Sequence, residues 1–243
     1  MSLRGHFKRL GLAAMLWPAL TGQTLVTAEA GLDAEGVASY ALRFLFQPTP
    51  APPRLAGASY SAEEISDTAG TRKLYRDAQG RTRVERTLPF GVGTGPAIVE
   101  ITDPLDGFIY TLNPQTRTAH RVKLSASGDQ EPAVAVRAAS AAAPAAEALG
   151  EREMEGIRAV GTRTARAVPG PDGATALLLT EVWVSPELRL TLMVKHTDAT
   201  GREQTVRLTN LTRAEPDAGR FRVPGDYTVR DEAGAFNLDF RVK

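Results

Sequence analysis

The stretch "LRLTLMVKH", Leu188 to His196, alternates strictly: Leu188, Leu190, Leu192 and Val194 fall on one side, Arg189, Thr191 and Lys195 on the other. A period of two is the signature of a strand with one apolar face, and a helix could not bury those four side chains together. The same style recurs in "AIVEITD" (97–103), "GFIYTLN" (107–113), "TRTAHRVKL" (116–124), "LGEREMEGIRAVGTRTARAV" (149–168), "ATALLLTEVWVS" (174–185) and "REQTVRLTNLTRA" (202–214). Short connectors such as "DPLDG" and "NPQT" join antiparallel neighbours. The expected fold is therefore mainly β: a curved antiparallel sheet, an unclosed half-barrel, covered by short helices.

One helix is expected in "LDAEGVASYALRFLF" (32–46), where Leu32, Val37, Tyr40, Ala41, Phe44 and Leu45 fall on one helical face. The proline-dense "QPTPAPPRLAG" after it reads as an extended linker, so residues 31–56 precede a single β domain spanning 57–243. Within that domain the Ala-rich, Pro-broken stretch 125–148 reads as an excursion rather than packed structure.

The amino terminus sets the compartment. Arg4, Lys8 and Arg9 precede the apolar run from Leu10 to Leu20, and Ala28-Glu29-Ala30 supplies the small-x-small pattern of a signal-peptidase site. Residues 1–30 read as a secretory signal peptide, which predicts a periplasmic or secreted protein. No other run is long and apolar enough to span a bilayer, so no transmembrane segment is expected once the signal is removed. Removal takes three cations and one anion from a chain of formal charge +1, leaving −1, which argues against a nucleic-acid partner. The sequence has no cysteine, which excludes thiol catalysis, Cys-ligated zinc and a lipidated amino terminus.

"RKLYRDAQGRTRVERTL", Arg72 to Leu88, packs six cations into 17 residues. Asp77 and Gly80 in "DAQG" suit a type I turn with a glycine bulge, which sets Asp77 opposite Arg81 and Tyr75 opposite Arg83. Most of the charge then belongs to a solvated hairpin, with Arg72, Arg76 and Arg86 left unpaired. "DATGR" (198–202) has the same turn chemistry as "DAQGR" (77–81).

No catalytic constellation is present. "GVGTGP" (91–96) lacks the last glycine of a dinucleotide fingerprint and reads as a loop, and "DPLDG" lacks the further acids of a calcium loop. No cofactor, no metal site and no enzymatic activity are expected.

"LGEREMEGIRAVGTR", "EVWVSPELRLTLMVKHTDATGREQTVRLTNL" and "AEPDAGRFRVPGDYTV" together resemble a group of uncharacterised exported bacterial proteins. The strand order and the closing Phe221, Pro224 and Tyr227 are similar to the LolA-type periplasmic lipoprotein carriers. That resemblance implies an apolar cavity for acyl chains under a lid, so the expected function is binding of a lipid, a lipoprotein acyl chain or another apolar ligand on the concave sheet face. The residues placed to line it are Phe108, Tyr110, Trp183, Leu190, Leu192, Val194, Val206 and Leu208; the competing reading makes them a filled core. A second expectation is an envelope protein-interaction or stress-sensing module, whose partner adds to an edge strand or grips the cationic hairpin.

Overall fold

The computed structural model describes residues 23–32, 38–46, 55, 57–90, 93–124, 146–169 and 175–242. The first 22 residues of the expected leader, residues 47–54 of the linker and residues 125–145 of the Ala-rich stretch lie outside the described residues.

The described chain is mainly β, in large unclosed sheets. In chain order the strands are β1 (Gln23–Leu32), β2 (Ala38–Phe46), β3 (Tyr60–Ser66), β4 (Gly70–Arg76), β5 (Thr82–Phe90), β6 (Gly93–Asp103), β7 (Phe108–Asn113) and β8 (Thr118–Lys123). Then come β9 (Ala146–Met154), β10 (Ile157–Pro169), β11 (Thr175–Ser185), β12 (Leu190–Thr197), β13 (Glu203–Thr212), β14 (Thr228–Glu232) and β15 (Phe236–Val242). The only helix among the described residues is the 3-10 turn Ala218–Phe221, so the expected covering of short helices is corrected. The helix expected over 32–46 is likewise corrected: residues 38–46 are strand β2. There Leu42, Phe44 and Phe46 are buried while Ala41 and Arg43 are exposed, a period of two that the apolar Ala41 and Leu45 had masked. Most of "GVGTGP" is strand rather than loop, because β6 begins at Gly93. Residues 23–30, expected within the leader, form most of β1 and pair with β2.

The chain divides into two compact units. The first comprises Met1–Ala51, Glu85–Ser127 and Phe221–Lys243. It holds a three-stranded sheet, β1-β2-β15, and the strand run β14-β8-β7-β6-β5. Its core is aromatic and aliphatic: Leu42, Phe44, Phe46, Leu88, Ile98, Phe236, Leu238 and Phe240 are all buried. Phe46 stacks on Phe236 at 5.3 Å between centroids and Phe44 meets Phe240 edge-on at 6.0 Å. Such side chains each contribute about 1.5–3 kcal/mol on full burial. β14 pairs parallel with β8, and polar side-chain contacts fasten it there. Arg121 grips Asp231 through both oxygens (2.6 and 2.9 Å), and buried His120 lies 2.7 Å from Glu232 with its ring stacked on Phe236.

The second unit comprises Pro52–Val84 and Gly128–Arg220 and carries the strands in the order β4-β3-β13-β12-β11-β10-β9, all antiparallel. Its core gathers Tyr60, Ala62, Leu74, Ile157, Ala159, Trp183, Leu188, Leu192 and Leu208. Two of its turns share one geometry. Gly80 N–H donates to the Asp77 carbonyl and Gly201 N–H to that of Asp198, both at 3.0 Å. The glycines sit at φ 81° and 82°, where a side chain is costly. The matched turn chemistry of "DAQGR" and "DATGR" is matched geometry.

The three arginines expected to be unpaired on the hairpin are all engaged. Arg72 Nη2 donates to Glu64 on β3 (2.7 Å), and Arg86 donates to Glu100 on β6 (2.6 and 2.8 Å). Arg76 is buried, donating to the carbonyls of Ala58 and Leu188, both at 2.6 Å. Its guanidinium also lies 4.7 Å over the Tyr60 ring, and burial pulls its pKa below the usual value. Arg81 pairs with Asp77 as expected, at 2.6 Å. Arg220 covers the ring of Tyr75 at 4.7 Å.

Candidate functional site

The eight lining candidates fall in two units. Phe108 and Tyr110 belong to the first, with rings 6.2 Å apart and Arg121 over Phe108 at 4.7 Å. The other six belong to the second. Trp183, Leu192 and Leu208 are members of its core and Leu190 packs against that core, whereas Val194 and Val206 are half-buried and opposite each other on β12 and β13.

Trp183 is enclosed on both sides. Its ring lies directly over Gly161 on the neighbouring strand, so close that a Cβ at Gly161 would meet ring carbons at 2.7 Å. Arg152 covers the ring at 3.8 Å, a cation–π contact. The indole N–H donates to Glu181 Oε1 at 2.6 Å, which satisfies the polar edge that burial would otherwise orphan. The Glu181 carboxyl is held below the usual carboxylate range, first by that N–H and then by Arg163.

The registers of β9 to β12 then order this face of the sheet into rows. Gly161, Trp183 and Met193 pair across one row. Two residues further along, Glu147, Arg163, Glu181 and Lys195 pair across four consecutive strands, alternating in sign. Arg163 bridges to Glu147 at 3.4 Å and to Glu181 at 3.2 Å, and Lys195 reaches Glu203 on β13 at 2.6 Å. β12 ends at Thr197 opposite Leu179, and among the described residues β9 begins at Ala146 opposite Thr164. β10 and β11 run on together as a two-stranded ribbon, pairing Ala165 with Leu179, Ala167 with Leu177 and Pro169 with Thr175.

The described residues on the ribbon face that continues the ionic row are mostly apolar. Ala165, Ala167, Pro169, Thr175 and Leu177 are exposed and Leu179 is half-buried; Leu177 shows 53% of its surface. On the opposite face Val168, Ala176 and Leu178 are half-buried. The strand expected over "ATALLLTEVWVS" is β11. Three successive leucines, Leu177 to Leu179, put an aliphatic side chain on both faces of a strand.

The first unit holds a cleft of about 710 Å³, lined by Glu29, Ala41, Arg43, Gln115, Thr116, Asp239 and Arg241 among others. Its charges partly pair, Arg43 with Asp239 at 2.7 Å. The Gln115 side chain takes both the N–H and the carbonyl of Arg241, and Asn113 donates to the Asp239 carbonyl at 3.0 Å, so these two amides occupy the backbone edge of β15. None of the eight lining candidates borders this cleft.

No family model matches the chain, and no curated protein does. Solved structures similar to it include an uncharacterized conserved protein from Thermus thermophilus, 13% identical, with 72% of this chain and 90% of that one covered at a TM-score of 0.42. Another is LprF from Mycobacterium bovis, 12% identical, covering 70% and 90% respectively at a TM-score of 0.34. Neither likeness carries a function across. Among the described residues no helix is long and apolar enough to cross a membrane.

Proposed function

We propose that this is an exported, non-enzymatic protein that binds a lipid or other apolar ligand through the sheet of its second unit. The observation that carries the reading is the run of apolar side chains on one face of the β10–β11 ribbon, with Leu177 more than half exposed. Exposed aliphatic surface on a two-stranded ribbon is costly in water and is retained where something apolar covers it. The leader-like amino terminus and the resemblance to LolA-type carriers agree with this reading. The contact moves, however, from the expected lining residues to the ribbon, because Trp183, Leu192 and Leu208 are consumed by the core.

The test is native mass spectrometry and solvent extraction of the protein purified from a periplasmic fraction. A co-purifying acyl lipid, displaced by Leu177→Asp, is the expected result. Protein recovered free of lipid, and failing to bind a fluorescent fatty acid afterwards, would overturn the reading in favour of an envelope protein-interaction module.

A further inference from the structure

We infer that the outer edge of β15 is a strand-pairing surface for a second copy of this chain, held shut by the side-chain amides of Asn113 and Gln115. The inference is independent of the lipid reading, which concerns the second unit.

β15 is the last strand of the sheet β1-β2-β15 and pairs with β2 along one side only. In an antiparallel ladder alternate residues turn both backbone groups to the same side. On β15 the Asp239 carbonyl and both backbone groups of Arg241 are taken by side chains of the β7–β8 turn rather than by β2. A row of such outward groups is a template for another strand, and sheet proteins cover it or charge it.

The cover is the turn "NPQT". Buried Asn113 uses its whole carboxamide. Its Oδ1 accepts from the N–H groups of Gln115 at 3.0 Å and Thr116 at 3.3 Å, which folds the turn, while its Nδ2 donates to the Asp239 carbonyl at 3.0 Å. The folded turn sets Gln115 beside Arg241. There Gln115 Oε1 accepts from the Arg241 N–H at 2.6 Å, and Nε2 donates to the Arg241 carbonyl. Exchange of both bonds with one residue is what a residue of a paired strand would do. Gln115 stands in for that strand. Unlike Asn113 it is exposed, and clefts of about 710 and 440 Å³ both border Gln115, Phe240 and Arg241, so there is room beside the edge.

The edge is complementary to itself, which selects a second copy as its occupant. Two β15 strands set antiparallel about Phe240 place Asp239 of each copy opposite Arg241 of the other. Both residues are exposed, and they are the ones whose backbone groups point outward, so one register pairs the charges and exchanges the hydrogen bonds. The arrangement closes on itself by a two-fold axis. Asp239 already holds Arg43 at 2.7 Å, and a carboxylate has lone pairs for a second guanidinium.

The test is sedimentation equilibrium of the full chain, with thermal melts alongside. Gln115→Ala uncovers the edge, and Gln115→Asn, whose amide is too short to span both Arg241 groups, serves as a second opening. Each is expected to self-associate at least tenfold more tightly than the native chain, as a dimer, with an unchanged melt. In the Gln115→Ala background, Asp239→Arg and Arg241→Asp should each abolish the dimer, since like charges then face each other. An equal mixture of those two charge variants should restore it, because every pair across the edge is again of opposite sign. Openings that associate no more than the native chain overturn the inference, as does association accompanied by loss of the melting transition. A dimer that survives both charge variants, or a mixture that stays monomeric, overturns it as well by removing β15 from the interface.

Discussion

The turns Asp77–Arg81 and Asp198–Arg202 share a backbone and differ in their surroundings. In each, the first aspartate accepts from the N–H groups two and four residues on: Gln79 and Arg81 at 3.0 and 2.8 Å, Thr200 and Arg202 at 2.8 and 3.0 Å. In each, the aspartate N–H returns to the arginine carbonyl, at 3.1 and 2.9 Å. Yet Asp77 is 1% exposed whereas Asp198 is exposed. The buried turn is also held from outside: Glu215 accepts from the Ala78 N–H at 3.0 Å and from the Ser59 hydroxyl. Five residues suffice to specify the turn; what the turn is worth depends on residues far away in sequence.

The largest test of that statement is removal of the aspartates. Asp77→Ala strips a buried acceptor from two N–H groups and from the Arg81 guanidinium, so a loss of about 2 kcal/mol is expected. Asp198→Ala leaves donors that water can reach and should cost clearly less. Denaturant melts of the two variants decide it, and equal losses would break the claim that context sets the worth of the turn.

The glycines sharpen the comparison from the other side. Positive φ is a backbone property, nearly identical at Gly80 and Gly201, so burial should matter little to it. Gly80→Val and Gly201→Val are each expected to lose about 1–2 kcal/mol, similar to one another. For Gly201 no heavy atom lies within 4 Å of an added Cβ, so its loss reports backbone strain alone. A Gly80 loss well above that of Gly201 would show that burial adds packing conflict.

The same division explains which parts of the fold were legible. Turn type, the Asp77–Arg81 pair and the positive φ of Gly80 follow from adjacent residues and were readable. The partners of the hairpin arginines were not: Glu64, Glu100 and the Leu188 carbonyl come from other elements, the last 112 residues distant. β2 was misread because Ala41 and Leu45 are apolar on its outer side, which lets a helical period fit as well as a strand period. The strands supplying the lining candidates were legible. Which of their side chains are buried was not, because that depends on the register between strands, such as the one that seats Trp183 over Gly161.

The smallest expected effect is acid sensitivity at the exposed turn. The Asp198 carboxyl is held below the usual carboxylate range, first by the Thr200 hydroxyl at 2.6 Å and then by the Thr200 and Arg202 N–H groups. All of these donate to the charged form. A carboxylate with a depressed pKa stabilises the fold fully above its unfolded pKa, and that contribution fades as pH falls through the folded value. Asp198→Asn keeps an accepting oxygen but removes the charge. The melting-temperature gap between wild type and Asp198→Asn should therefore be greatest near neutral pH and close only as pH falls below the usual aspartate range. Exposure and salt screening keep the gap small, so the measurement belongs at low ionic strength. A gap that stayed constant from neutral to acid pH would mean that the asparagine oxygen replaces the carboxylate in geometry alone, and that the charge on Asp198 adds nothing to its turn.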